Sequence, residues 1–170
     1  MPIQSHHASG ATRRVALALS LWLVAGSAVW AQGPAPFQRL AGQWSGSGVI
    51  DFSDGNREPI RCRASYDLLG EMNKLQFDIR CASASYHFDL RGSANYANGA
   101  ITGNWSEVTR NAAGTMSGTA KGSRFQVMAQ SAAYTASLTL QTRGNRQTVT
   151  IQSPDPTAQL RGASINLRRR

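Results

Sequence analysis

The sequence predicts an all-β protein, an antiparallel up-and-down barrel of roughly 8–10 strands. Three observations carry this. Past Phe37 no stretch keeps a helical period; apolar and polar residues alternate instead; and turn signals such as Asn98-Gly99 and Gly144-Asn145 interrupt the alternation at short spacing. Composition agrees. Of 170 residues 41% are hydrophobic and 16% charged, with 16 glycines, which speaks against coiled coil, disorder, collagen and a polytopic membrane protein.

The chain opens with a leader. Arg13 and Arg14 precede a largely apolar run from Val15 to Ala31, broken by Ser20, Gly26 and Ser27. This is the pattern of an export signal peptide, residues 1–31, with cleavage expected after Ala31. An uncleaved anchor would need about 20 apolar residues, and the run falls short. Thr12-Arg13-Arg14 leaves the twin-arginine route open beside the general secretory one. A flexible segment, residues 32–36, follows, and residues 37–170 form the single barrel domain. The expected localisation is periplasmic or secreted. Three of the 18 cations are the terminal Arg168, Arg169 and Arg170, and most others stand singly, so nucleic acid is not an expected partner.

Candidate strands follow in order: 43–52, 61–69, 74–82, 85–96, 100–109, 114–121, 124–130, 135–143, 146–152 and 159–168. Three hairpins can be put in register from the sequence. The Asn98-Gly99 turn opposes Tyr96 to Ile101, Ala94 to Gly103, Gly92 to Trp105 and Leu90 to Glu107. The Gly144-Asn145 turn opposes Leu140 to Val149 and Leu138 to Ile151, with Thr139, Gln141, Thr148 and Thr150 on the other face. A turn centred on Glu71-Met72 opposes Leu68 to Leu75, Tyr66 to Phe77, Ala64 to Ile79 and Cys62 to Cys81. That register predicts a cross-strand disulfide on the apolar face, favoured by an oxidising compartment. Closing a loop of about 20 residues contributes roughly 3 kcal/mol through unfolded-state entropy. If every strand is apolar on one side, those sides share an interior. Short links make that a closed barrel without edges, and a sandwich is the second architecture.

Leu40-Ala41-Gly42-Gln43-Trp44 opens the first strand and Arg168 stands on the last. This pairing resembles the calycin superfamily, lipocalins and their relatives. The resemblance implies that Trp44 closes one end of the barrel under a basic residue, Arg168 or failing that Arg161. The same Ala-Gly-x-Trp stretch and single disulfide are similar to those of small periplasmic metalloprotease-inhibitor barrels, which reach their protease through an N-terminal segment. Gly103-Asn104-Trp105 repeats the Gly-x-Trp motif, the other calycin motifs are not found, and this chain is longer than those inhibitors and departs from them over Gln32 to Pro36.

Catalytic chemistry is not expected. His87 is the histidine outside the leader, and Ser85, His87 and Asp89 alternate along one strand, which separates their side chains by about 7 Å. A metal centre on Cys62, Cys81 and His87 fails because bridged cysteines cannot ligate. Asp51 to Glu58 has acids but not the spacing of a calcium loop, and Asp54-Gly55-Asn56 reads as a turn. Neither metal nor cofactor is predicted. Two features remain. The predicted inner face sets Gly92, Ala94, Gly103 and Gly118 among Tyr66, Phe77, Tyr86, Phe88, Tyr96, Trp105, Met116 and Phe125. Small residues opposite rings either interdigitate into a filled core or leave a cavity. Glu107 is the acid on that face, for which the rim, a pair with an arginine such as Arg124, or a ligand's polar end are the alternatives. The second feature is Arg61, Arg63 and Arg80 on the outer face of the disulfide hairpin, where Asp78 and Asp67 can absorb the charge or an anionic partner can add to it. The sequence therefore predicts a non-enzymatic barrel binding a small hydrophobic or amphipathic ligand. A protein-binding module, such as an inhibitor using residues 32–40 or an envelope partner using the arginine face, is the alternative, and a purely structural role is also open.

Overall fold

The computed structural model describes residues 35–70, 72–132 and 134–170. The leader, most of the segment that follows it, and Glu71 of the predicted turn lie outside these residues. Ten strands follow a 3-10 helix, Pro36–Arg39: β1 (Gly42–Phe52), β2 (Arg57–Leu69), β3 (Lys74–Ala82), β4 (His87–Ala97), β5 (Ala100–Glu107), β6 (Ala112–Lys121), β7 (Arg124–Gln130), β8 (Thr135–Arg143), β9 (Arg146–Gln152) and β10 (Leu160–Arg169). Each strand pairs antiparallel with its sequence neighbours, and β1 also pairs with β10, which closes the barrel.

The registers read from the turns are those observed. Asn98-Gly99 pairs Tyr96 with Ile101, Gly144-Asn145 pairs Leu140 with Val149, and Cys62 faces Cys81. The two cysteines are bridged, with Cα atoms 4.1 Å apart and both residues buried. β2 begins at Arg57, earlier than the sequence suggests, because Pro59 pairs with Val49 on β1 while the β3 ladder starts only at Arg61. A residue lacking an N–H is tolerated where one flank has no ladder to interrupt.

Alternation puts Trp44, Ile50, Ile60, Tyr66, Leu75, Phe77, Trp105, Phe125, Ile165 and Leu167 inside the barrel. The up-and-down connectivity sorts the links between strands into two ends. At one end the strands are joined by tight turns, at Gly70, Asn98-Gly99, Gly122-Ser123 and Gly144-Asn145. The links at the other end are longer and more polar, residues 53–56, 83–86, 108–111, 131–134 and 153–159. The tight end is closed and the polar end is open.

Candidate functional site

The closed end is built around Trp44, which is 1% exposed. Its indole Nε1 donates to the Leu40 carbonyl at 2.7 Å, and a guanidinium lies over its ring. That guanidinium belongs to Arg169, 4.5 Å from the ring centroid, and not to Arg168 or Arg161. The inward alternation of β10 runs Ile165, Leu167, Arg169, so Arg168 points outward, opposite Ser45. Arg169 also donates to the carbonyls of Ala41 and Arg39, tying the last strand to the segment that precedes the first. Gly42 has φ +111°, a conformation that a side chain would strain, which accounts for the glycine two residues before the indole.

Above this floor the 3-10 helix acts as a plug. Pro36, Phe37 and Leu40 are buried, and Phe37 stacks on Phe125 with ring centroids 6.1 Å apart and 10° between planes. Tyr96 packs edge-on against Phe37 at 6.2 Å. Tyr96 therefore belongs to the floor and does not line the cavity, because its strand has by then reached the closed end.

Between plug and mouth lies a cavity of about 650 Å³. Tyr66, Phe77, Tyr86, Phe88, Trp105, Met116 and Phe125 line it, together with Leu138, Leu140, Ile151 and Tyr134. Small residues make this space by letting rings lie flat on the wall. A Cβ on Gly92 would overlap the Phe77 ring, and one on Gly114 would sit 3.0 Å from Trp105 Cζ2. Trp105 Nε1 donates to the Thr115 carbonyl at 3.0 Å, and Tyr134 meets the indole edge-on at 6.2 Å. The buried Tyr66, Gln147 and Thr142 satisfy one another. Tyr66 donates its hydroxyl to Gln147 Oε1 at 3.2 Å, and Gln147 Nε2 donates to Thr142 Oγ1 at 3.3 Å. Burial pushes the Tyr66 hydroxyl far above its ordinary pKa, against a smaller opposing effect of Gln147.

Glu107 is 8% exposed and organises the mouth. Its carboxylate accepts from the backbone N–H groups of Asp89, Thr109 and Arg110 and from the Thr109 hydroxyl at 2.6 Å. Burial acts to raise its pKa, but those hydrogen bonds, led by Thr109, outweigh it and hold the carboxyl below its ordinary value. Its arginine is Arg110, 3.6 Å away, and not Arg124, which stands at the other end of the barrel. Arg110 lies over the Tyr86 ring at 4.1 Å and donates to the His87 carbonyl at 2.9 Å. Burial also raises the pKa of Tyr86 and of Tyr134, so both are neutral hydroxyls at neutral pH. Beside them, Glu58 accepts from Ser83 and Ser85 and fixes the 83–86 link that carries Tyr86. Among the described buried side-chain oxygens and nitrogens, Ser153 Oγ alone has no hydrogen-bond partner, and Ser153 lines the cavity.

The outer arginines are exposed as the register predicts, with Arg63 opposite Arg80. Arg80 joins a four-membered network with Asp78, Asp89 and Arg91, at 3.2–3.3 Å. Asp67 instead accepts from Ser65, and Arg61 and Arg63 have no acidic partner among the described residues.

No protein-family model matches the chain, and no curated protein matches it by sequence. In fold it is similar to the crystal structure of Rv2717c from M. tuberculosis, with a TM-score of 0.63 at 12% identity, over 81% of this chain and 98% of that one. It is also similar to the S-type phycobiliprotein lyase CPES from Guillardia theta, with a TM-score of 0.58 at 9% identity, over 79% of this chain and 90% of that one. Both are ten-stranded barrels. At such identities the likeness is one of fold alone, the closed antiparallel barrel.

Proposed function

We propose that this chain is a non-enzymatic binding protein that holds one small apolar or amphipathic molecule inside its barrel. The observation that carries the reading is the cavity: about 650 Å³, sealed by Phe37 and Trp44 at one end and open at the other. That volume lies in the range of sites that enclose small molecules, and its lining of rings and aliphatic chains with few polar groups is the usual composition of such sites. The polar groups cluster at the mouth. Arg110, Tyr134 and the unpartnered Ser153 Oγ suit a ligand whose hydrogen-bonding end faces the opening while its apolar body sits against Phe77 and Trp105. Export to the periplasm or beyond fits the disulfide and the leader. The N-terminal segment is less suited to protease insertion, since Pro36, Phe37 and Leu40 are buried as the plug.

The test is to purify the protein under native conditions, record its intact mass without unfolding it, and extract it with organic solvent. A bound apolar compound at a stoichiometry near one per chain supports the reading. Protein that stays empty after exposure to a broad lipid and aromatic extract counts against it.

A further inference from the structure

The closed end of the barrel carries a concentration of charge that the binding reading does not use. Lys121 faces Arg124 across the β6–β7 turn, Arg143 faces Arg146 across the β8–β9 turn, and Arg146 faces Arg168 on β10. All five are exposed, and none has an acidic partner among the described residues. Like charges directly opposite on neighbouring strands repel, so three such pairings at one end weaken the isolated fold unless an anion lies across them. The described acids lie mainly elsewhere: Asp51, Asp54, Glu58, Asp89, Glu107 and Asp155 are in or near the open end. Asp78 stands on the wall in β3, paired with Arg80 and Arg91, and Asp67 on β2 two residues from its closed end; Glu71 lies outside the described residues.

Exposed apolar side chains supply a second, independent observation. Of the four exposed large apolar side chains among the described residues, Leu69 and Met72, 43% and 46% exposed, stand together at the β2–β3 turn of this same end, next to Lys74, while Val108 at the open end and Met128 on the β7 wall stand singly. Met72 Sδ accepts from Gln38, which joins the turn to the plug helix. The wall of the barrel is different. Its outward positions on β8, β9 and β10 are residues such as Thr139, Gln141, Thr148, Ser164 and Asn166, which cannot face hydrocarbon.

We infer that the closed end docks peripherally on a bilayer surface rich in anionic phospholipid, its arginines against the phosphates and Leu69 and Met72 in the headgroup layer. A barrel end presents several turns to one plane, whereas the convex wall with Arg61 and Arg63 presents only a strand or two. Docked this way, the mouth points away from the lipid and stays open to solvent. Basic residues near an anionic surface each strengthen binding several-fold, and the attraction fades with salt.

Sedimentation of the purified chain with vesicles of phosphatidylcholine, alone or mixed with phosphatidylglycerol, tests the inference through the part of binding that depends on the anionic lipid. The triple variant Arg124→Glu, Arg143→Glu, Arg146→Glu should weaken that part about a hundredfold. The wall variant Arg61→Glu, Arg161→Glu should leave it within about threefold, since both residues lie toward the open end of their strands and off the surface. Leu69→Ser with Met72→Ser should lower lipid binding while leaving retention on a soluble polyanion such as polyphosphate unchanged. Thermal melts establish that each variant is folded. Binding indifferent to phosphatidylglycerol, or lost equally in the wall variant, would overturn the proposal. Equal affinity for polyphosphate and vesicles, with no effect of the Leu69 and Met72 changes, would overturn it in favour of a soluble polyanion.

Discussion

Arg169 and Glu107 do at single positions what their neighbours in sequence do not. Arg169 covers the Trp44 ring and caps two carbonyls, while Arg168, one residue earlier, points to solvent. Losing a cation–π contact together with charge-assisted hydrogen bonds costs about 1–3 kcal/mol. Arg169→Ala is therefore expected to lower the denaturant midpoint clearly, and Arg168→Ala to leave it nearly unchanged. Equal effects of the two in urea titrations would show that the cover over Trp44 contributes nothing. Glu107 makes a pH prediction. Its folded-state pKa is depressed, so its ionised form stabilises the fold above the ordinary glutamate pKa, and that contribution is lost as pH falls through the lower, folded value. Melting temperature should fall on acidification below about pH 4.5, and Glu107→Gln should flatten that fall while lowering stability at neutral pH.

Elements were legible wherever a turn residue and an alternating face agreed. The Asn98-Gly99 and Gly144-Asn145 turns give their hairpins residue for residue, and the turn centred on Glu71-Met72 gives the β2–β3 register, which the meeting of Cys62 and Cys81 checks. The disulfide should contribute about 3 kcal/mol by restricting the unfolded chain across its separation of 19 residues. Cys62→Ser with Cys81→Ser, compared with the parent in guanidinium, should lose that amount without changing strand content by circular dichroism. A double variant as stable as the parent would contradict it. What the sequence left hidden has physical reasons. The plug helix is only Pro36–Arg39, too short for a periodic signal, so Phe37 and Leu40 were not foreseen as lining. Tyr134 and Arg110 stand in links between strands, where no alternation tells which way a side chain turns. Arg169 was within reach: following Ile165 and Leu167 by two more residues leads to it. The turn register places Glu107 on the inner face, but backbone donors from a loop are invisible to a pattern of side chains.

The barrel is polarised along its axis. One end is tight-turned, plugged and basic; the other has longer links, ordered carboxylates and an opening into an aromatic-lined space. Whether the small residues of the inner face fill the core or hollow it could not be decided from the sequence, because the answer depends on how far the strands coil. In the structure the glycines do both: Gly92 and Gly114 seat rings against the wall, and the volume in front of those rings remains.

The most direct measurement of that volume is a titration of the protein with a neutral naphthylamine dye, comparing the parent with Ala129→Trp, which puts an indole into the space that Ala129 lines. Saturable binding of one dye per parent chain, accompanied by quenching of Trp105 and abolished in a folded Ala129→Trp protein, is the predicted result. Binding that survives the filled interior, or a parent that takes up no dye, would contradict the account.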